Sequence, residues 1–149
     1  MALKIPFNAV QKALYELLSK GQTVPVTEHI PTGQEEFPYI WIGASNDVPE
    51  NDNKTNDIHL LTQEIDLWSD QGGTLEINNI MNDVIFLVTH YKLRMPGYHV
   101  INTEVVSVAS NGELYQDGFT AYHGKIILHF EIQQELSLIH ISEPTRLRR

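Results

Sequence analysis

The sequence contains no cysteine, and this absence excludes several kinds of protein at once. A disulfide framework, a thiolate metal site and a cysteine nucleophile all require that residue. Long apolar runs are missing too, because none reaches the roughly 18 residues that a membrane-spanning helix needs. The first ten residues, MALKIPFNAV, lack the apolar segment of a signal peptide. From these absences we expect neither secretion nor contact with a membrane.

Basic residues are scarce, and arginine is confined almost entirely to one end. Arg94 is the only arginine before the last fourteen residues, LSLIHISEPTRLRR. This end could continue a strand into a basic segment, but it resembles the translation of a sequencing-library adapter. We therefore expect one domain at residues 1–135 and a non-native tail at residues 136–149. Residues 1–135 contain 7 basic and 18 acidic side chains, so their net charge is 7 − 18 = −11. A net charge of this sign repels nucleic acid phosphates.

Two amphipathic helices are predicted from apolar residues at helical spacing. In the first, Asn8 stands in the N-cap position and Gly21 closes the helix. In the second, Thr74 is the predicted N-cap, and Glu76 places a negative charge near the positive end of the helix dipole. The apolar stripes are Val10, Leu14, Leu17 and Leu18 in the first helix, and Ile77, Ile80, Met81, Val84, Ile85 and Val88 in the second.

Segments rich in β-branched and aromatic residues predict strands at 24–30, 38–44, 58–68, 100–109 and 125–133. Pro25 makes the first of them an edge strand. The last has apolar residues at every even position, which is typical of an antiparallel sheet with one buried face. The order of elements predicts an α+β fold in a single domain, with two helices packed on one face of a mostly antiparallel sheet.

Three turns are suggested by glycine. Asn111-Gly112 and Asp117-Gly118 are hairpin signals between the last two strands, and they also make Ser110 a turn residue rather than a nucleophile. Gly72-Gly73 precedes the second helix and could hold a phosphate on its backbone N–H groups. No glycine-rich nucleotide-binding motif accompanies it, and Asp70 would repel the anion. We interpret Gly72-Gly73 as a corner between a strand and a helix.

Acidic and histidine side chains are the remaining candidates for chemistry. Glu64 and Asp66 share one face of a predicted strand, as a glycosidase pair or a hard-metal site would require. Such residues are more commonly solvated or in subunit contacts, and we interpret them in that way. None of the histidines has the spacing of a metal motif, and no serine lies in a nucleophile elbow. We predict no catalytic, cofactor-binding or metal-binding residues. The histidines are His29, His59, His90, His99, His123, His129 and His140.

Residues 45–57, SNDVPENDNKTND, form an unusually long polar connection between two predicted strands. Connections of this length inside a small domain are commonly functional. Its acidic residues are Asp47, Glu50, Asp52 and Asp57. We interpret these four residues as candidates for an interface.

The order of several segments resembles a known protein family. VQKALYELLSKG is followed by VPVTEHIP, FPYIWIG, EIDLWSDQGGTLEINNIMNDVIFLV and GKIILHFEI. In that order they resemble the tail-completion, or tail-terminator, proteins of long-tailed bacteriophages, over about residues 8–134. The Pro-Tyr strand and the W-S-x-x-G corner are the most specific segments.

The resemblance implies a structural role in the virion and no catalytic residues. It implies a ring, commonly of six subunits, that ends the tail tube and offers the joining surface for the DNA-filled head. The implied partners are other copies of the chain, the major tail-tube protein and a head-completion or connector protein. DNA would pass through the ring without specific binding, which the acidic composition suits. Within such a ring we predict that the loop 45–57, with Asp47, Glu50, Asp52 and Asp57, faces the lumen or a neighbouring ring.

Other functions remain open at this stage. A head-closure or other neck protein is the nearest alternative, since a distant paralogue in the phage neck could share these packing and turn signatures. A small ligand-binding or metal-binding accessory domain would need the histidines and carboxylates to converge. A hydrolase would need Glu64, Asp66 or a histidine in a cleft.

Overall fold

Five strands form one sheet in the order β1-β2-β3-β5-β4. The structure is a computed structural model that describes residues 4–50, 57–114 and 118–135. β1 runs parallel to β2, and every other neighbouring pair is antiparallel. Two helices complete the described part of the fold. The elements are α1 (Phe7–Gly21), β1 (Val26–Thr27), β2 (Tyr39–Pro49), β3 (Ile58–Ser69), α2 (Leu75–His90), β4 (Tyr98–Leu114) and β5 (Thr120–Gln134).

Both helices cover the same face of the sheet, and the hydrophobic core lies between them and the strands. The even positions of β5 from 126 to 132 are buried, as the alternation predicted. Phe130 is the largest side chain of this core and is only 1% exposed. The predicted stripe of α2 is buried too, apart from the partly buried Ile85. The α+β fold with a mostly antiparallel sheet is therefore confirmed.

The ends of α1 differ from the prediction. The N-cap is Pro6 rather than Asn8, which lies within the first turn. At the other end Gly21 is the last helical residue, and the side-chain amide of Gln22 donates to the Leu18 carbonyl at 2.7 Å. Gly21 serves close packing, because a Cβ there would stand 2.5 Å from Leu87 Cδ2.

The corner that leads into α2 has the predicted form. Thr74 is the N-cap, although its side chain makes no capping hydrogen bond. Gly73 adopts a φ of +94°, a conformation that suits glycine. The Ser69 hydroxyl donates to the Glu76 carboxylate, and the Gln71 N–H donates to the Ser69 hydroxyl at 3.2 Å. A carboxylate thus already occupies the helix N-terminus, and Gly72-Gly73 is a strand-to-helix corner.

Two predictions about strand ends are wrong. β2 continues to Pro49, so residues 45–49 are strand rather than loop. They pair with residues 59–63 of β3 after an irregularity beyond Ile42. Asn111-Gly112 lies inside β4 and pairs with β5, so it is not the hairpin turn. The turn that contains Gly118, at φ +83°, follows the end of β4.

Several other predictions concern the ends and edges of the chain. The segment 24–30 forms only the two-residue β1 at the sheet edge, as Pro25 indicated. Asp117 and residues 136–149 lie outside the described residues, so the domain boundary at 135 stays a prediction. No helix in the described part of the chain is long and apolar enough to cross a membrane.

Candidate functional site

The sheet face opposite the helices carries a stack of aromatic rings. Trp68 of β3 lies at its centre, and its ring stacks on His123 of β5 with the centroids 4.5 Å apart. On the other side Tyr39 of β2 stacks on Trp68 at 5.0 Å, and Trp41 lies 6.4 Å away. These rings meet because Trp68 is directly opposite Tyr39 on one neighbouring strand and His123 on the other. As the sequence suggested, the tryptophans pack on the sheet.

His123 is held between two carboxylates on this open face. Its Nε2 lies 2.7 Å from Asp66 Oδ1, and its Nδ1 lies 3.2 Å from Glu113 Oε2. The hydrogen bond to Asp66 raises the pKa of His123 most strongly, and the charges of Asp66 and Glu113 raise it further, while burial acts in the opposite direction. The three residues come from β3, β5 and β4, so this His123 clamp ties three neighbouring strands together.

Asp66 is the most constrained member of the His123 clamp. It is 2% exposed, and its Oδ2 atom has no hydrogen-bond partner among the described residues. A Cβ on Gly43 would stand 2.9 Å from that oxygen, so the glycine leaves room for the carboxylate. The interpretation of Asp66 as a solvated residue is wrong, because neighbouring strands and rings enclose it. Glu64, in contrast, is partly exposed, and its Oε2 atom lies 3.4 Å from Lys125 Nζ.

The geometry of the His123 clamp does not resemble a hydrolytic site. A catalytic histidine uses one ring nitrogen for its orienting carboxylate and keeps the other for the nucleophile or substrate. Here both nitrogens of His123 contact carboxylates. Asp66 and Glu113 also lie on opposite sides of the ring, so the three residues do not point at one ion. No group of three metal-ligating side chains is found within residues 4–50, 57–114 and 118–135.

A second histidine is buried at the opposite end of β3. His59 is 0% exposed, its Nδ1 lies 2.7 Å from Asp47 Oδ2, and its Nε2 lies 3.2 Å from Gln134 Oε1. The same Gln134 oxygen accepts a hydrogen bond from the Lys4 backbone N–H at 3.1 Å. Burial and the nearby charge of Asp47 raise the pKa of Tyr98, whose ring meets His59 edge-on. This buried network fixes β2, β3, β5 and the start of the chain.

The four acidic residues of the segment 45–57 therefore have different environments. Asp47 is in β2 and bonded to His59, and its side chain is 6% exposed. Asp57 is 3% exposed and accepts a hydrogen bond from Gln133 at 3.0 Å. Glu50 is half-buried and donates its backbone N–H to the Ile58 carbonyl. Asp52 lies outside the described residues. Asp47 thus joins β2 to β3, whereas Asp57 joins the residue before β3 to β5.

The sheet edge formed by β4 is long and partly apolar. β4 spans 17 residues and pairs on one side with β5. Its register shifts twice, once around Ile101 and once around Val106, so each of these is an extra, bulged residue. Ile101 is 40% exposed and Val106 is 45% exposed, and Leu114 near the hairpin end is 76% exposed. Bulges usually protect an edge, but these present aliphatic side chains that suit contact with another subunit.

Sequence reasoning missed both the His123 clamp and the buried His59 network. Asp66 and His123 are 57 residues apart, and only the pairing of β3 with β5 brings them together. The predicted strand 125–133 did not include His123, and the register of the neighbouring strands was needed to find its partners.

A small α+β domain with one uncovered sheet face and a long apolar strand edge is suited to assembly with other protein subunits. Residues 10–123 match the model of the family described as "Tail completion protein gp17". The match spans 123 − 10 + 1 = 114 of the 149 residues, and the chain belongs to this family. It is a structural tail-completion protein of a phage-type virion, located in the tail. The resemblance read from the sequence is thus confirmed.

One similar solved structure is a chain of the "Virion of native gene transfer agent (GTA) particle". The two chains share 12% sequence identity with a TM-score of 0.72, and the alignment covers 88% of this chain and 99% of the other. At this identity the likeness shows a shared fold. No curated protein matches the chain significantly.

Proposed function

We propose that this tail-completion protein forms a ring, of six subunits, on the head-proximal end of the tail tube. The ring stops polymerisation of the tube and offers the surface on which the head is joined. Its partners are further copies of the chain, the major tail-tube protein and a head-completion or connector protein. The likeness to a chain of a gene transfer agent virion supports a place within a particle of this kind.

The edge of β4 is the observation that supports ring formation most directly. A long strand edge with unpaired backbone groups and exposed aliphatic residues is a template for pairing with another chain. Ile101 and Val106 stand at its two bulges and expose 40% and 45% of their surface. Contact between this edge and a different surface of the next copy is heterologous, and such contacts close into a ring when the rotation allows.

The charge distribution supports a channel through which DNA slides without adhering. On the open face of the sheet Glu64, Glu104, Glu113 and Glu131 outnumber Lys125. Negative walls give up the counterion release that drives DNA binding. At the end of the β2–β3 pair, Glu50 and Asp52 remain as the acidic residues that could face the lumen or a neighbouring ring, since Asp47 and Asp57 are buried.

We assign no catalytic step to this protein. The most site-like cluster, the His123 clamp, uses both ring nitrogens on carboxylates and leaves neither available to a substrate. The family is a structural one. The clamp and the His59 network therefore serve to hold the sheet rigid while its edges bind other subunits.

The proposal is tested by polymerising the tail-tube protein of the same phage with and without the purified chain. We expect shorter tubes of uniform length when the chain is present. Val106→Lys should abolish this effect, because it places a charge in the edge contact. The control Leu75→Lys changes a side chain that is 75% exposed at the start of α2 and should leave the effect intact. Tubes of unchanged length with the wild-type chain would refute the terminator role.

A further inference from the structure

A groove of about 910 Å³ lies between the C-terminal ends of α1 and α2. Its floor and walls are apolar at Leu17, Leu87 and Leu93, and Phe86 stands at its edge with 51% of its surface exposed. The Phe86 ring stacks on His90 at 4.0 Å, so it is held in place rather than free to fold over the groove.

The groove also gathers positive charge in an acidic protein. Lys20, Lys92 and Arg94 line it, and Lys12 lines an adjoining groove that shares Arg94. These four are among only six basic side chains in the described residues, against sixteen acidic ones. Two carboxylates, Glu16 and Asp83, also line the grooves, so the net charge of the side chains that line them is 4 − 2 = +2. Within residues 4–50, 57–114 and 118–135, none of these four cations forms an ion pair.

The connection between β1 and β2 has the complementary chemistry. Ile30 is 74% exposed, and the exposed Glu28 and Glu36 lie on either side of it in the sequence. The turn beyond Ile30 is ordered by Glu35, whose carboxylate accepts hydrogen bonds from the backbone N–H groups of Thr32 and Gly33 at 2.9–3.0 Å. An ordered segment loses less entropy on binding than a flexible one. The segment 28–36 thus presents an apolar side chain between negative charges.

The groove and the segment 28–36 lie on opposite sides of α1. Ala13, Leu17 and Lys20 line the groove, whereas the side chain of Gln11 lies 3.5 Å from the Glu28 carbonyl. At 3.6 residues per turn, Gln11 is rotated about 160° around the helix from Ala13. The segment therefore does not reach the groove of its own chain, but the corresponding segment of another copy can.

We propose that the groove between α1 and α2 binds the acidic segment 28–36 of a neighbouring copy, with Ile30 seated against Leu17 and Phe86. Glu28 and Glu36 then lie close to Lys92 and Arg94. The contact joins two different surfaces, so repeating it produces a ring or an open helix rather than a two-fold dimer. This inference rests on the proposed ring and identifies a contact within it, in addition to the β4 edge.

Because the chain has no cysteine, the contact can be tested by single-cysteine crosslinking. Ile30→Cys and Phe86→Cys are prepared separately, assembled together on tail tubes, and treated with a short bismaleimide. We expect a crosslinked dimer from the mixture, and a ladder ending at the ring size when both substitutions are in one chain. Leu75→Cys replaces Ile30→Cys as the control, since Leu75 is equally exposed at 75%, and should give no dimer with Phe86→Cys.

Charge reversal gives an independent readout. Lys92→Glu with Arg94→Glu should raise the concentration needed for half-assembly by at least about tenfold, because like charges in a contact cost several kcal/mol and 1.4 kcal/mol is a factor of ten. Adding Glu28→Lys and Glu36→Lys to the same chain should restore assembly. All four side chains are exposed, so the melting temperature serves as a control for folding.

The outcomes separate this contact from the ring itself. A wild-type ring without the Ile30–Phe86 crosslink and without sensitivity to charge reversal would overturn the contact and leave the ring. A crosslink from Phe86→Cys to the tail-tube protein alone would also overturn it. A wild-type chain that forms no ring, either free or on tubes, would overturn both the contact and the proposed function.

Discussion

The strongest quantitative test of the fold is the substitution Asp66→Asn, which keeps the shape of a buried side chain and removes its charge. Asp66 Oδ1 lies 2.7 Å from His123 Nε2, within the range of charge-assisted hydrogen bonds. Bonds to charged groups contribute about 1.5–3 kcal/mol. Since Glu113 remains 3.2 Å from the other ring nitrogen, we expect a loss near the middle of that range, about 2 kcal/mol.

The loss should depend on pH in a defined direction. The folded-state pKa of His123 is raised, chiefly by its hydrogen bond to Asp66, above an unfolded value of about 6.5. The stabilisation from this pair is therefore complete below pH 6.5 and is lost as the pH rises through the folded pKa. Above it, Asp66 is a buried carboxylate with an unpartnered Oδ2, and the variant replaces this charge with a neutral amide. We expect the destabilisation to shrink to less than about 0.5 kcal/mol at high pH.

The measurement is urea unfolding of wild type and variant between pH 6 and pH 9, followed by tryptophan fluorescence. Both tryptophans of the chain, Trp41 and Trp68, lie in the ring stack beside His123. In thermal unfolding at pH 6, the melting temperature of the variant should be about 4–8 °C below that of wild type, because 1 kcal/mol corresponds to roughly 2–4 °C in a protein of this size.

The matched control is Glu64→Gln, on the same strand and face. Its partner Lys125 is 44% exposed, so the pair contributes at most about 1 kcal/mol. This pair contains no histidine, so its small effect should not follow the titration of His123. A loss for Asp66→Asn that is equally independent of pH would refute the assignment of His123 as the charged partner.

Three further results are expected. Gly124→Val should lower the free energy of unfolding by about 1–3 kcal/mol through overpacking, because a Cβ at Gly124 would stand 2.7 Å from Met81 Sδ. The control Gly72→Ala places its Cβ in open space and should stay within about 0.5 kcal/mol of wild type. Urea unfolding measures both variants, and equal effects would contradict the packing at Gly124. Removing residues 136–149 should leave the melting temperature unchanged, and a drop of several degrees would show that the tail is part of the folded structure. Deleting residues 48–55 should abolish infectivity or alter tail length, and normal particles would contradict a role of that segment in assembly.

Most of the helical and strand elements could be predicted from the sequence because apolar periodicity is a local property. The stripe of α2 and the alternation of β5 each report which face is buried, whatever lies against them. The predicted cap of α1 was wrong because asparagine is only statistically preferred at an N-cap. The helix begins two residues earlier than predicted, at Phe7 after Pro6.

The errors concern residues whose environment is set by distant partners. Ser45 and Asp47 were predicted to lie in a loop because they are polar. Their side chains instead form hydrogen bonds with Gln63 and His59 across the β2–β3 pair. Gly112 was predicted to lie in a turn, but it lies within β4. A Cβ at this position would stand 3.4 Å from the Tyr122 ring on the adjacent strand. A glycine that gives an aromatic ring room across a strand pair has the same sequence signal as a turn glycine.

The candidate site was the least predictable part. Family membership could be read from the order of segments, but the interacting surfaces depend on exposure. Ile30 and Val106 are ordinary apolar residues in the sequence, and only the fold shows that they lie on the surface.

Electron microscopy of tail tubes assembled with the gold-labelled chain tests the position of this protein in the tail. We predict a single ring of label at one end of every finished tube, the end to which heads attach, and no growth beyond it. Label distributed along the tubes, or absent from their ends, would contradict the assignment of this chain as the protein that completes the tail.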